Sequence, residues 1–246
     1  MNPPTPPRSH APALIIFAKA PTPGRVKTRL TERLTEAEAA RLYEAFLRDT
    51  LAQYAALAET RGAALRLYHA GPDWPAALAP EGASLHRQRS GGLGARMAAA
   101  FRETFAAGAG TALIAGTDCP TLPPAFLGEA FDTLQREAET VCIGPSTDGG
   151  YYLLGTRRPA ERLFDDMSYS HSGVFDQTLA RIAETGRTPV VLPEWYDVDR
   201  PADLHRLAAD LSDRAAAARA PRTRRQIRTL AEQYPALRRP ALRGAG

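Results

Sequence analysis

The stretch that most constrains this chain is residues 13–30, which reads ALIIFAKAPTPGRVKTRL. Residues 13–17 are apolar and β-favouring, which is typical of a short central strand buried on both faces. The strand leads into a turn in which two prolines fix φ and Gly24 permits a close approach that a Cβ would block. Three cations follow at once, Arg25, Lys27 and Arg29. α/β folds hold phosphate in such turns, because free backbone N–H groups and fixed positive charge converge where the strand ends.

The two lysines of the chain, Lys19 and Lys27, both lie in this turn, and arginine supplies every other basic side chain. Lysine is a compact point charge and arginine a planar fork, so a tight loop that grips one phosphate oxygen can accept only the first. We therefore predict that phosphate is bound by Lys19, Gly24, Arg25, Lys27 and Arg29. The alternative is a solvated basic loop that holds two lysines by chance.

The composition is that of one globular domain, with 246 residues, 44% hydrophobic and 24% charged. We expect a disordered proline-rich leader at residues 1–12, a single domain over residues 13–213 and an Arg/Ala-rich tail over residues 214–246. No apolar run approaches the roughly 20 residues of a membrane span. The leader also lacks the apolar segment of a signal peptide, so a cytoplasmic protein is predicted.

The net charge of +4 is divided unevenly along the chain. The tail holds nine arginines and one acid, Glu232, whereas residues 1–213 hold 22 basic and 26 acidic side chains. A mildly acidic body is not a nucleic-acid surface, although the tail could make weak contact with nucleic acid or an anionic membrane. We expect the tail to be mobile, so that deletion of residues 219–246 leaves the fold and donor binding intact.

Strands and helices alternate in the apolar pattern, which predicts a doubly wound, mostly parallel sheet with helices on both faces. Beyond the first strand, strands are predicted at residues 64–70, 84–88, 111–116, 140–144, 151–154 and 188–192. Helices are predicted over residues 35–59, 123–138, 172–185 and 202–211, and after the glycines of residues 91–94. The direct step from residues 140–144 to 151–154 indicates one strand that breaks the parallel order. A helix near residues 224–233 has no apolar face long enough to require packing.

Acidic residues follow three of these strands, at the carboxyl edge where open α/β sheets bind ligands. Any single one of them could equally be a turn or helix cap. Together, and opposite a cationic turn, they suit Mg²⁺ or Mn²⁺ held by one or two carboxylates and the phosphates of a nucleotide. We predict that the metal is bound by Asp118 with Asp197 or Asp199.

Two further glycine-rich segments are candidate binding elements. Residues 91–94 precede a helix and allow close backbone approach to a ligand, so Gly92 and Arg96 are predicted to add to the nucleotide site. An ordinary turn is an alternative of equal weight. The second segment is predicted to bind the acceptor through Asp148, Gly149, Gly150 and Tyr151.

Other familiar site chemistries are disfavoured. The chain has no G-x-S-x-G and no Walker A pattern, which argues against a serine hydrolase and a P-loop ATPase. The two cysteines, Cys119 and Cys142, are too few for a disulfide framework and lack metal-ligand spacing, so we expect small buried residues. No cluster of histidine and cysteine offers a zinc site.

Five motifs, in this order and spacing, resemble a known family: FAKAPTPGRVKTRL, QRSGGLGARM, AGTDCPTL, GPSTDGGYYLLG and DVDRPADL. The family is the glycosyltransferase-A-like (GT-A-like) group known as radical-SAM/selenodomain-associated transferases, and the resemblance covers roughly residues 13–211. Its relatives are the molybdopterin-cofactor nucleotidyltransferases and the guanylyltransferase that activates phospholactate, whose KSRL-like stretch is similar to residues 27–30. Where classical nucleotidyltransferases have L-A-G-G-x-G-x-R-M, this chain has A-K-A-P-T-P-G-R-V-K.

The resemblance implies a GT-A fold, a nucleotide-bearing donor and a divalent metal, with Asp118 at the usual metal position. We therefore predict a metal-dependent transferase that uses a nucleoside triphosphate or a nucleotide-sugar, with Asp118, Lys27 and Asp148 as catalytic residues. Nucleotidyl and glycosyl transfer share this apparatus and differ in which bond of the donor breaks. The alternative is a non-catalytic nucleotide-binding or adaptor protein, which would lack a metal carboxylate; all the candidates are present here.

Overall fold

Seven strands form a single sheet in the computed structural model, which describes residues 10–71 and 73–238. The strands are β1 (Pro12–Lys19), β2 (Ala64–Ala70), β3 (Ser84–Arg87), β4 (Thr111–Ala115), β5 (Thr140–Pro145), β6 (Tyr151–Thr156) and β7 (Thr188–Val191). Their order across the sheet is β3-β2-β1-β4-β6-β5-β7. Strand β1 lies inside the sheet between β2 and β4. Of the apolar run predicted to be buried, residues 13–16 are at most 1% exposed, whereas Phe17 is partly exposed.

Helices cover both faces of the sheet. They are α1 (Glu36–Arg61), α2 (Leu93–Ala106), α3 (Pro124–Arg136), α4 (Val174–Glu184), α5 (Pro201–Asp210), α6 (Arg214–Arg219) and α7 (Pro221–Gln233). Short 3-10 helices lie at Thr28–Glu32, Ala76–Leu78, Glu161–Phe164 and Pro235–Arg238. One apolar core packs under α1, α3, α5 and α7, and a smaller one under α2 and α4. The predicted doubly wound architecture is confirmed.

One strand runs against the others. Strand β6 is antiparallel to both neighbours, β4 and β5, as the short turn before it predicts. The remaining neighbouring pairs are parallel. The carboxyl ends of the parallel strands therefore meet at one edge, together with the amino end of β6, and this edge receives every loop that carries a predicted site residue.

The prediction of a mobile tail is wrong for residues 214–238. Helices α6 and α7 pack onto the body, and Thr223, Ile227 and Leu230 form a short buried stripe against α1. The stripe was missed because its neighbours on the helix are arginines and its partner surface lies far away along the chain.

The structure bears on the remaining predictions about the chain as a whole. Residues 1–9 of the predicted leader lie outside the described residues, and β1 already begins at Pro12. Within the described ranges, no helix has the length and apolarity to cross a membrane. A cytoplasmic location stays a prediction. Cys119 and Cys142 are buried free thiols, as expected.

Candidate nucleotide and metal site

The loop from β1 to α1, residues 20–35, is the predicted phosphate-binding element, here called the donor loop. Gly24 adopts a left-handed conformation, with φ 73°. A Cβ at Gly24 would lie 3.0 Å from the carboxylate of Glu36 in the first turn of α1. That side of the turn is therefore closed by an acidic side chain. Lys19 and Arg25 are exposed, and neither forms an ion pair with any residue that the structure describes.

Lys27 has a different environment from the other loop cations. Its backbone is left-handed, with φ 48° and ψ 39°, and its side chain is only 5% exposed. The ammonium forms an ion pair with Asp118 and lies 5.6 and 5.8 Å from the ring centroids of Tyr43 and Phe46, within cation–π distance. In this conformation the Lys27 ammonium is paired with a carboxylate and is not free to bind phosphate.

Tyr43, in α1, joins the end of β1 to the loop after β4 that carries Asp118. Its hydroxyl accepts a 3.1 Å hydrogen bond from the backbone N–H of Lys19 and lies 3.0 Å from Thr117 Oγ1. Burial, helped by the charge of Asp118, raises the pKa of Tyr43 far above its ordinary value, so the phenol stays neutral. Tyr43 therefore holds the ends of β1 and β4 in a fixed relation.

Three carboxylates share the cleft beside Lys27. Asp118 is half-exposed, and Asp148 accepts a 2.9 Å hydrogen bond from the backbone N–H of Gly150. Asp197 is partly buried and accepts a 3.3 Å hydrogen bond from Ser146 Oγ. Burial and the neighbouring charges of Asp148 and Asp118 raise the pKa of Asp197 to about 6, against a smaller opposite effect of Lys27. The structure thus brings three of the four predicted carboxylates into one electrostatic neighbourhood.

The fourth carboxylate, Asp199, is paired with the donor loop. Arg29 Nη1 lies 2.6 Å from Asp199 Oδ2, and both side chains are partly exposed. A predicted phosphate ligand and a predicted metal ligand are therefore bound to each other, as Lys27 and Asp118 are.

The donor set is suited to a cation that arrives with a nucleotide. Among the described residues, no group of three or more His, Cys, Asp or Glu side chains is arranged to hold a metal ion. Mg²⁺ in a nucleotide site needs fewer, because one or two carboxylates suffice where phosphates and water complete its shell. Asp118 is accessible, and Asp197 lies where its charge is opposed by other carboxylates. These hard oxygen ligands fit a divalent ion shared with phosphate.

The second glycine segment lies beside the end of β1, and in the part of the chain that the structure describes neither it nor Arg96 is hydrogen-bonded or ion-paired to the three carboxylates. Arg96 Nε donates to the Gly91 carbonyl at 2.8 Å, so this side chain braces its own loop. Gln88, just before the glycines, donates to the carbonyls of Tyr68 (3.0 Å) and Ala18 (3.4 Å). Nothing lies within 4 Å of a Cβ built at Gly92, so packing does not require glycine there.

The predicted acceptor turn is covered by a segment that sequence reasoning missed, residues 169–173. A Cβ at Gly149, where φ is 87°, would lie 2.0 Å from the Ser172 carbonyl oxygen. At the other end of the segment, the Tyr169 ring lies 2.8 Å from a Cβ built at Gly94 in the first turn of α2. The segment therefore joins two glycine-rich elements, and its trace in the sequence is the pair Gly94 and Gly149, where a Cβ would collide with it.

Tyr151 lies away from the acceptor turn. Its hydroxyl donates to Met97 Sδ at 3.8 Å, and burial raises the pKa of Tyr151 well above its ordinary value. The side chain packs in the core under α2, whereas Gly149 and Gly150 stay at the cleft. The predicted acceptor role of Tyr151 has no contact in this structure to support it.

The fold and the cleft indicate the class of protein that this chain resembles. This mostly parallel sheet with helices on both faces is the fold of nucleotide-diphospho-sugar transferases, which is GT-A-like, as predicted. The structure is similar to a "putative nucleotide-diphospho-sugar transferase" from Desulfovibrio desulfuricans G20, with a TM-score of 0.81 and 29% identity over 93% of this chain and 97% of that chain. A cytidylyltransferase from Leptospira borgpetersenii has the same fold, with a TM-score of 0.52 and 10% identity over 96% of this chain and 99% of that one.

The likeness to the Desulfovibrio protein supports a transferase of the nucleotide-using kind. More particularly, residues 50–171 match the family described as "Uncharacterized protein conserved in bacteria (DUF2064)". No curated protein matches the chain in sequence. The narrower radical-SAM/selenodomain-associated grouping stays a prediction.

Proposed function

We propose that this chain is a metal-dependent transferase that uses a nucleotide-activated donor, either a nucleoside triphosphate or a nucleotide-sugar. One observation carries the proposal: cations of the donor loop meet candidate metal carboxylates at the ligand-binding edge of the sheet, as Lys27 with Asp118 and Arg29 with Asp199. Phosphate needs the first set of charges and a divalent cation needs the second.

The roles of the residues follow from their positions. The donor phosphates would bind at the donor loop, where Arg25, like Lys19 at the end of β1, is exposed and has no ion pair among the described residues. Asp118 with Asp197 or Asp199 would hold Mg²⁺ or Mn²⁺, which when bound neutralises charge on the leaving phosphate. Asp148 would orient the acceptor from its turn, with residues 169–173 as the facing wall.

An assay of donor consumption tests the proposal and separates its two forms. The full chain is incubated with each labelled nucleoside triphosphate and with a panel of nucleotide-sugars, in Mg²⁺ and in Mn²⁺. Pyrophosphate release supports nucleotidyl transfer, and a free nucleoside diphosphate supports glycosyl transfer. The Asp118→Asn protein, prepared identically, controls for contaminating activity. Tight nucleotide binding without turnover and indifferent to metal would instead favour the adaptor alternative.

A further inference from the structure

The donor loop holds two kinds of cation. Lys27 and Arg29 are each bound to a carboxylate of the cleft, Asp118 and Asp199, the second pair at 2.6 Å. Arg25, like Lys19, is exposed and has no ion pair among the described residues. Only the second kind can receive phosphate without first giving up a partner.

When the cations and carboxylates of these pairs exchange partners, the binding of a nucleotide and the binding of a metal become linked. A nucleotide that binds Lys27 without a metal leaves Asp118 unpaired beside the phosphates and near Asp197 and Asp148. A metal that binds Asp118 without a nucleotide leaves the Lys27 ammonium, 5% exposed, facing another cation. An uncompensated charge in a partly buried site is costly, because neither water nor a counter-ion solvates it fully. When both ligands bind, every charge has a partner.

We propose that the Lys27–Asp118 and Arg29–Asp199 pairs exchange partners when ligands bind, so that nucleotide and divalent cation each increase the affinity of the protein for the other. The inference rests on the proposed function, since it deepens the account of the same site. The linkage is reciprocal by thermodynamic necessity. The Lys27–Asp118 pair carries more of it than Arg29–Asp199, because both members of the second pair are substantially exposed and screened by solvent.

The exchange can be distinguished from simple bridging, in which a metal only links Asp118 to the phosphates. The two differ in the nucleotide affinity that they predict for metal-free protein. Bridging alone predicts that loss of the Asp118 carboxylate leaves metal-free nucleotide binding unchanged. Exchange predicts that it frees Lys27, so Asp118→Asn binds nucleotide in chelator about 10-fold more tightly than wild type, within the usual range of couplings between sites. Added Mg²⁺ then improves the binding to the variant far less than the binding to wild type.

Isothermal titration of the full chain measures this, with the nucleotide that binds wild type in Mg²⁺ chosen from a panel of triphosphates and nucleotide-sugars. Arg25→Met is the matched control, since an unpaired loop cation should lower affinity by the same factor with and without metal. A second arm needs no nucleotide: Mn²⁺ binding followed by electron paramagnetic resonance should be tighter in Lys27→Met than in wild type. Melting temperature checks that each variant is folded.

The outcomes distinguish failure of the proposed function from failure of the partner exchange. If no nucleotide of the panel binds wild type under any condition, the proposed function fails, and the Mn²⁺ arm still decides whether Lys27 competes with a cation for Asp118. If a nucleotide binds wild type but Asp118→Asn binds it no more tightly in chelator, the exchange is rejected while the proposed function stands. Equal Mn²⁺ affinity of Lys27→Met and wild type likewise rejects the exchange.

Discussion

The carboxylate of Asp49, in the middle of α1, accepts a 2.7 Å hydrogen bond from the backbone N–H of Thr223 in the first turn of α7. The neighbouring N–H of Arg222 bonds to the same carboxylate at 3.2 Å. Asp49 is 1% exposed and Thr223 is completely buried. The free N–H groups and the positive end of a helix favour an anion at this position. One side chain of the body thus caps a helix of the tail.

The capping contact predicts that the tail stabilises the body. Asp49→Asn should lower the free energy of unfolding by roughly 1.5–3 kcal/mol, the range for hydrogen bonds to a charged group. Deletion of residues 219–246 should cost more, because it also exposes the apolar surface under Ile227 and Leu230. Urea unfolding measures both. Glu44→Gln, which removes a surface pair with Arg48 on the same helix, is the control and should cost less than about 1 kcal/mol. A truncated protein as stable as wild type would contradict the packing of α7.

Substitution of Lys27 tests whether the donor loop requires lysine. Arginine keeps the charge, but its larger planar head would have to take the place of a side chain that is only 5% exposed and lies against Tyr43 and Phe46. Lys27→Arg should weaken donor binding by about tenfold or more, equivalent to about 1.4 kcal/mol. Lys19→Arg is the comparison at the second lysine: Lys19 is exposed, so the larger head fits there, and of the two positions where the sequence predicted a need for lysine the structure favours it only at Lys27. Equal donor affinity of Lys27→Arg and wild type would show that lysine is not required.

Asp118→Asn separates a metal ligand from a turn residue. The amide keeps the shape of the side chain but removes the charge that a hard cation needs. Turnover should fall by orders of magnitude, at about 1.4 kcal/mol per tenfold, if the ion supplies the several kcal/mol expected at phosphate. Melting temperature and turnover are measured on one preparation, beside Asp132→Asn, which removes a carboxylate paired with Arg61 away from the cleft. A folded variant with wild-type, metal-dependent turnover would falsify the metal role.

Gly149→Ala tests the contact between the acceptor turn and residues 169–173. The new Cβ would lie 2.0 Å from the Ser172 carbonyl, so the segment must move away from the turn. We expect slower turnover and faster proteolysis within residues 165–173. Gly82→Ala is the control, because Gly82 has a similar left-handed φ of 73° but nothing within 4 Å of its Cβ. If both variants behave alike, backbone strain alone explains the effect.

Glu38 makes stability depend on pH. Its Oε2 accepts hydrogen bonds from the Thr35 backbone N–H (2.8 Å), the Thr35 hydroxyl (2.7 Å) and the Tyr234 hydroxyl (3.0 Å). Burial raises the pKa of Glu38, but these hydrogen bonds outweigh it and hold the pKa below its ordinary value of 4.5. The unfolded chain therefore binds the proton first as pH falls.

The stabilising effect of Glu38 should be complete above its ordinary pKa of 4.5 and be lost as pH falls through the lower native value. Urea unfolding of wild type and Glu38→Gln at several pH values measures it. The stability difference should stay constant at neutral and mildly acidic pH and shrink below pH 4.5. A difference that is independent of pH would show that the charge of Glu38 does not contribute. Tyr234→Phe should weaken the pH dependence of the free energy of unfolding only in part, since two of the three hydrogen bonds to Glu38 remain.

Local patterns predicted most of the fold. The apolar run in β1, the start of the helix predicted from residue 35 and the short turn before β6 all depend on neighbours in the chain, and all are present as predicted. Helix α7 was predicted nearly to its bounds but not its packing, because the cap that docks it, Asp49, lies 174 residues from Thr223.

By itself the sequence determined the order of strands and helices, the edge at which the loops gather and the residue types placed there. The reason is that apolar period, glycine and proline constrain the backbone within a few residues of themselves. Only the tertiary structure decided which charges face each other: that Lys27 is bound to Asp118 and Arg29 to Asp199, and that Tyr151 points into the core. Such pairings depend on how distant segments pack, and no local pattern in the chain encodes them.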